Sequence, residues 1–207
     1  MIQTLIKTVM LTLVFAGLLS GVHRLTEDRI EQEKQAHIAQ QLASILPDGF
    51  FDPPLVTLEE PLMLVEAQQE ATVHLAYQNQ VPKAALIDWT TPDGYNGNIR
   101  LVIAIDPDGE LIAVRVLDHR ETPGLGDAIE HTKSDWIDQF AGRSLTDPPP
   151  NRWQANRLGG EFDTISSATI TSTAVIEAIA LTLETYEQER DRLWANAASQ
   201  HQSTTDE

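Results

Sequence analysis

The chain contains no cysteine. That absence excludes a disulfide framework, a thiol nucleophile, a Cys-ligated zinc and an iron–sulfur cluster held by this chain. It also excludes a lipid anchor on an N-terminal cysteine. Basic residues are scarce: 14 Lys and Arg stand against 31 Asp and Glu, a net charge of −17. Phosphate neutralisation needs a surplus of Lys and Arg, so nucleic acid is not the partner. Electrostatic docking on an anionic lipid surface is excluded for the same reason. Internal repeats are missing as well. What is present is a 207-residue chain with 42% hydrophobic residues. That suffices for one domain of ordinary size plus extra segments.

Residues 1–22 read MIQTLIKTVMLTLVFAGLLSGV and carry no charge over 8–22. A membrane span needs about 20 residues, a length reached if Lys7 snorkels toward the head groups. An uncleaved anchor is the expected reading. The small residues Ala16, Gly17, Ser20 and Gly21 keep a cleaved export signal open. In both readings the rest of the chain is exported, with Lys7 and the α-amino group on the other side. Residues 26–46 are polar, with Ile38, Leu42 and Ile45 on one helical stripe, and Pro47-Asp48-Gly49 stops them.

Over 62–117 the period changes to two. Short strands are expected at 63–65, 72–77 and 84–89. The clearest is 99–105, where Ile99, Leu101, Ile103 and Ile105 share a face. Ile112, Val114 and Val116 repeat this on the next strand, and Asp106-Pro107-Asp108-Gly109 turns between them. This predicts an antiparallel hairpin with one buried face. The run from Asp93 to Asn98 reads as a tight loop; it lacks the terminal Glu a calcium loop requires. Pro123, Gly124 and Gly126 make ETPGLG a loop. Residues 127–140 are expected to be helical, with Ile129, Trp136, Ile137 and Phe140 inward. Pro148, Pro149 and Pro150 form a stiff connector. A long amphipathic helix is expected over 173–197, capped by Ser172, with Val175, Ile179, Leu183 and Tyr186 on its buried face.

One segment stands out chemically. Asp163-Thr164-Ile165-Ser166-Ser167-Ala168-Thr169-Ile170-Thr171-Ser172 is rich in hydroxyls and stands just ahead of the long helix. Free backbone N–H groups and the positive dipole end make such a place suited to phosphate. A plain capping loop is the alternative reading of the same residues.

Taken together, these motifs resemble the FMN-binding domain family, which occurs in the Rnf electron-transport complex (its G subunit) and in the sodium-translocating NADH:quinone reductase (its C subunit). The family run Asp-x-x-(Ser/Thr)-Gly-Ala-Thr is matched by Asp163, Ser166, Ser167, Ala168 and Thr169. His-x-Glu-Thr-Pro-Gly-Leu-Gly is matched by His119, Glu121, Thr122, Pro123, Gly124, Leu125 and Gly126. Gly94, Tyr95 and Gly97 match a Gly-Tyr-x-Gly element, and Lys133, Ser134, Asp135 and Trp136 look like the stretch that follows. The resemblance covers roughly 95–179 and the N-terminal span.

The resemblance implies an α+β fold, an antiparallel sheet with flanking helices behind one transmembrane helix. It divides the chain into an anchor (1–22), a juxtamembrane helix and linker (23–61), an FMN-binding domain (62–198) and a flexible tail (199–207). Thr169 is the implied site of covalent FMN, through a phosphodiester, with Thr171 the nearest rival. Glu121, Thr122 and Gly124 are implied flavin-loop residues, and Leu125 is expected to pack on the ring. A flavin transferase would load the cofactor from FAD, and other membrane subunits of the complex would be the working partners. The chain would relay electrons in a complex coupling redox chemistry to ion movement, without a substrate site or metal of its own. Its expected place is the bacterial inner membrane, single-pass, with the C-terminal domain periplasmic. Length favours the Rnf protein over its longer quinone-reductase counterpart. The family Gly is Ser167 here; if that position needs a left-handed backbone, the loop is strained and the chain becomes an unmodified structural subunit.

Overall fold

The computed structural model describes Met10, Leu42 and residues 45–47, 49–58 and 60–205. The expected span at 1–22 and most of the stripe at 26–46 lie outside the described residues. Among the described residues no helix is long and apolar enough to cross a membrane.

Among the described residues six strands precede one long helix. They are β1 (Asp52–Thr57), β2 (Leu62–Leu64), β3 (Gln69–Gln78), β4 (Val81–Gly94), β5 (Gly97–Ile105) and β6 (Leu111–His119), and the helix is α1 (Thr169–Thr205). The order β1-β3-β4-β5-β6 is antiparallel throughout, and the short β2 pairs with β3. Strand β1 falls in a stretch expected to be linker. Its two prolines, Pro53 and Pro54, hide it from a strand pattern, yet they are tolerated because β1 lies at the sheet edge.

The β3–β4 hairpin turns on Asn79 and Gln80, both with positive φ (51° and 65°). A two-residue turn of that hand matches the right-handed strand twist. In the β5–β6 hairpin the alternation holds for Ile103 opposite Val114 and Leu101 opposite Val116. An irregularity between Ala104 and Ile105 then sets Leu111, not Ile112, opposite Ile105. Leu111 is fully buried and Ile112 is not. The expectation of a single buried face also fails, since Val102 and Ala104 are 0% exposed like Leu101 and Ile103.

The main core lies between one face of the sheet and α1. Val73, Leu75, Ile87, Trp89, Leu101 and Ile103 meet Val175, Ile176, Ile179, Leu183 and Tyr186 there. Two polar tips are satisfied across this interface. Trp89 Nε1 donates to Thr182 Oγ1 (2.9 Å), and Tyr186 Oη donates to the Asp106 carbonyl (2.8 Å). On the second face, the Arg100 guanidinium bonds both oxygens of buried Asp88, at 2.9 and 2.6 Å. His74 is nearby in the sheet, its Nδ1 2.8 Å from Thr57 Oγ1.

Two expected helices come out differently. The stretch 127–140 forms two short 3-10 turns, Gly126–Ile129 and Trp136–Phe140, rather than one helix. Ile129, Ile137 and Phe140 are buried and Trp136 is half-buried. Lys133 bonds to Asp127 and Glu130 hold the turn between them. The long helix starts at Thr169, not 173. Ser172 is therefore inside the first turn, where its hydroxyl donates back to the Ala168 carbonyl (3.0 Å) instead of capping.

Candidate functional site

At one end of the sheet, three segments close on a cleft of about 460 Å3. The β4–β5 turn supplies Tyr95, the loop after β6 supplies Glu121, Thr122, Leu125 and Gly126, and residues 166–171 supply the rest. That size falls within the usual range for a small-ligand site, about 300–1,000 Å3.

Glu121 ties the three segments together. Its side chain is 5% exposed. One carboxylate oxygen accepts from the Thr171 hydroxyl at 2.6 Å and the other from the Asn96 N–H at 3.0 Å. Both oxygens thus serve loops far apart in sequence. The neighbours leave room for this side chain by being glycine. A Cβ on Gly94 would come within 2.8 Å of Glu121 Oε1 and Ile99 Cδ1. One on Gly126 would come within 2.9 Å of Glu121 Cβ and Oε2. The Glu121 N–H donates to His119 Nδ1 (2.9 Å), so that nitrogen is bare. The proton of His119 then sits on Nε2, which lies 2.8 Å from Glu130 Oε1. Lys133, at 2.7 Å from the same oxygen, and then His119 hold the Glu130 carboxyl below the usual carboxylate range. Thr122-Pro123-Gly124-Leu125 is a tight turn, with Leu125 N donating to Thr122 O (3.1 Å) and Gly124 at φ +76°. Proline second and glycine third is the type II pattern.

The hydroxyl-rich loop is fixed from its other side. Phe140, Trp153 and Phe162 form an aromatic cluster, with Trp153 and Phe162 centroids 4.5 Å apart. Asp163 follows directly. Its carbonyl accepts from Trp136 Nε1 (2.7 Å), its N–H donates to Gln139 Oε1 (2.9 Å), and its carboxylate accepts from Asn156 Nδ2 (2.5 Å). Asp163 is an exposed anchor of the loop and does not line the cleft; neither does Gly124. Ser166 and Ser167 occupy a turn closed by Ala168 N donating to Ile165 O (2.9 Å). Among the described residues the non-glycine positive φ values belong to Gln68, Asn79 and Gln80. Ser167 is therefore not left-handed, and its position does not demand the backbone that favours glycine.

The hydroxyls of this loop differ sharply. Thr171 is 1% exposed and committed to Glu121. Ser172 is bonded within the helix. Thr169 is half-buried, lines the cleft, and its hydroxyl has no hydrogen-bond partner among the described residues. The first intrahelical N–H bond is Ser172 to Ala168, so the amides of Thr169, Ile170 and Thr171 have no helical acceptor. No Lys or Arg lines the cleft. An anion here meets amides, hydroxyls and a helix dipole rather than cations.

Residues 94–184 match the model of the FMN-binding domain. The chain is 35% identical to the G subunit of the ion-translocating oxidoreductase complex of Vibrio atlanticus (strain LGP32) over 204 residues, 94% of this chain and 96% of that one. It is 36% identical to the protein of the same name from Pseudomonas aeruginosa (strain UCBPP-PA14), over 88% of this chain and 87% of the relative. This chain belongs to the G-subunit family of ion-translocating oxidoreductase complexes. The fold is that of the FMN-binding domain: NqrC of Shewanella oneidensis superposes with a TM-score of 0.50 at 20% identity, covering 72% of this chain and 73% of that one. In this G-subunit family member the matched region opens at Gly94 and takes in every cleft residue. The cleft brings together Glu121, Thr122, Leu125, Ser166, Ser167, Ala168 and Thr169 of the sequence candidates. Tyr95, Gly126 and Ile170 line it too and were not among the candidates. Gly-Tyr-x-Gly pointed to Tyr95; Ile170 carries no sequence signal beyond adjacency to Thr169.

Proposed function

We propose that this chain is the flavin-bearing, electron-relaying subunit of a membrane complex that couples electron transfer to ion translocation, with FMN joined to Thr169. The observation that carries the attachment site is the unpartnered Thr169 hydroxyl at the cleft, two residues from a threonine already consumed by Glu121. The residues suit the group: free amides at the start of α1 and the exposed Ser166 and Ser167 would hold a phosphate, and the cleft has room for a ring.

In the loading step, the Thr169 oxygen bonds to the flavin-side phosphorus of FAD. The pyrophosphate bond breaks, AMP leaves, and the hydroxyl proton passes to a base of the transferase. This chain presents the acceptor; the other enzyme supplies the catalytic groups and the metal. When bound, the flavin supplies reversible one- and two-electron transfer. Glu121 keeps the loop after β6 and the start of α1 in register, and Leu125 would offer the group an apolar surface. Residues 1–22 anchor the chain in the inner membrane with the domain on the periplasmic side, where it meets the other subunits.

The modified reading is supported over the unmodified-subunit one by the backbone of Ser167, which is not left-handed. Denatured protein expressed with the transferase should fluoresce on a gel under ultraviolet light. Its intact mass should exceed the sequence mass by one FMN less one water, and Thr169→Ala should abolish both signals. A non-fluorescent parent of unmodified mass would end the proposal.

A further inference from the structure

Three of the eight large hydrophobic side chains exposed among the described residues converge on the one cleft: Tyr95 (65% exposed), Leu125 (45%) and Ile170 (56%). They come from three separate segments. Isolated exposed apolar residues need no explanation, but a set converging on one cavity marks a surface built to be covered. Leu125 and Ile170 are neighbours of residues already assigned. Tyr95 is not, and its placement is enforced. The turn that carries it is pinned to the loop after β6, since the Asn96 N–H donates to Glu121 Oε1 and Asn96 Nδ2 donates to Thr122 Oγ1 (3.2 Å). Gly94 has no space for a Cβ, and Gly97 holds φ at +106°. The loop that lines the cleft therefore dictates where Tyr95 stands. Its ring and hydroxyl have no partner among the described residues.

We infer that the Tyr95 phenol is a binding residue of the cleft, packing against the flavin ring together with Leu125 and Ile170. This rests on the flavin reading above. An aromatic face adds contact area and a stacking preference to an otherwise aliphatic rim. Phenol in contact with an excited flavin passes it an electron and takes it back, which quenches emission at short range.

The test uses the full chain in detergent, loaded by the transferase, with intact mass confirming equal flavin content. In Tyr95→Leu the fluorescence lifetime of the native flavin should rise about twofold or more, and in Tyr95→Ala iodide should quench the flavin about twofold better, because ring contact is lost. Unfolding in urea should abolish both differences. If the flavin is present by mass and neither lifetime nor iodide quenching changes, Tyr95 does not pack on the ring, and the attachment at Thr169 stands unaffected. If no flavin mass is found in the parent, it is the proposed function that fails.

Discussion

The sheet core and the cleft at its end are stabilised in opposite ways. Core residues such as Ile87, Leu101, Ile103 and Ile179 are held by apolar burial spread over many neighbours. The cleft depends on a handful of hydrogen bonds between residues far apart in sequence, 25 positions for Asn96–Glu121 and 50 for Glu121–Thr171. Burial is non-directional and tolerates exchange among similar side chains. A carboxylate shared between an amide and a hydroxyl tolerates almost none, because each orphaned partner retains its desolvation cost. A rigid apolar platform thus carries a cleft whose shape is set by one acidic residue.

Deleting core volume should give the largest loss. Ile103→Ala should cost about 3–4 kcal/mol in urea unfolding, through lost transfer energy and a residual cavity. It should do so without selectively loosening the cleft. Glu121→Ala should cost about 2–3 kcal/mol, since it strands the Thr171 hydroxyl and the Asn96 N–H. Hydrogen exchange at the Asn96 amide should accelerate in this variant beyond the global change; equal protection there would show that Glu121 is not the clamp. Thr171→Val should cost about 1.5–2 kcal/mol, because it strands one oxygen of the buried Glu121 carboxylate, and should leave flavin loading intact.

The smallest effect expected is one of pH, and it belongs to the sheet. Burial, the largest cause, holds His74 below its ordinary 6.5; Asp88 pulls the value up and Arg100 pushes it down again. A lowered value means that the folded state refuses a proton the unfolded state accepts. The contribution is full above about 6.5 and is lost as pH falls from there toward the folded value. Urea midpoints of the parent should drop on moving from pH 7.5 to 5.5, to a smaller degree in His74→Gln. An identical drop in both would remove His74 from the account.

Much of the sheet was legible because its side chains alternate; Ile99, Leu101, Ile103 and Ile105 announce one face. Periodicity misplaces Ile112 because an irregularity beside Ile105 shifts the pairing. Strand β1 is hidden from the sequence because its prolines argue against strand except at an edge. The sequence places the helix start four residues late, since Ser172 has a capping residue's chemistry but spends its hydroxyl inside the first turn. In the cleft, motif order singled out Thr169 and Glu121. It could not show that Asp163 anchors the loop from outside, nor that Thr171 is withdrawn by Glu121, because both depend on distant partners.

The attachment of FMN to Thr169 is tested most directly by fragmenting the tryptic peptide 158–190 from protein expressed with the transferase. The account predicts that the FMN increment falls on Thr169, with Thr171 unmodified. An increment on Thr171, on either serine of the turn, or on no residue of that peptide would contradict it.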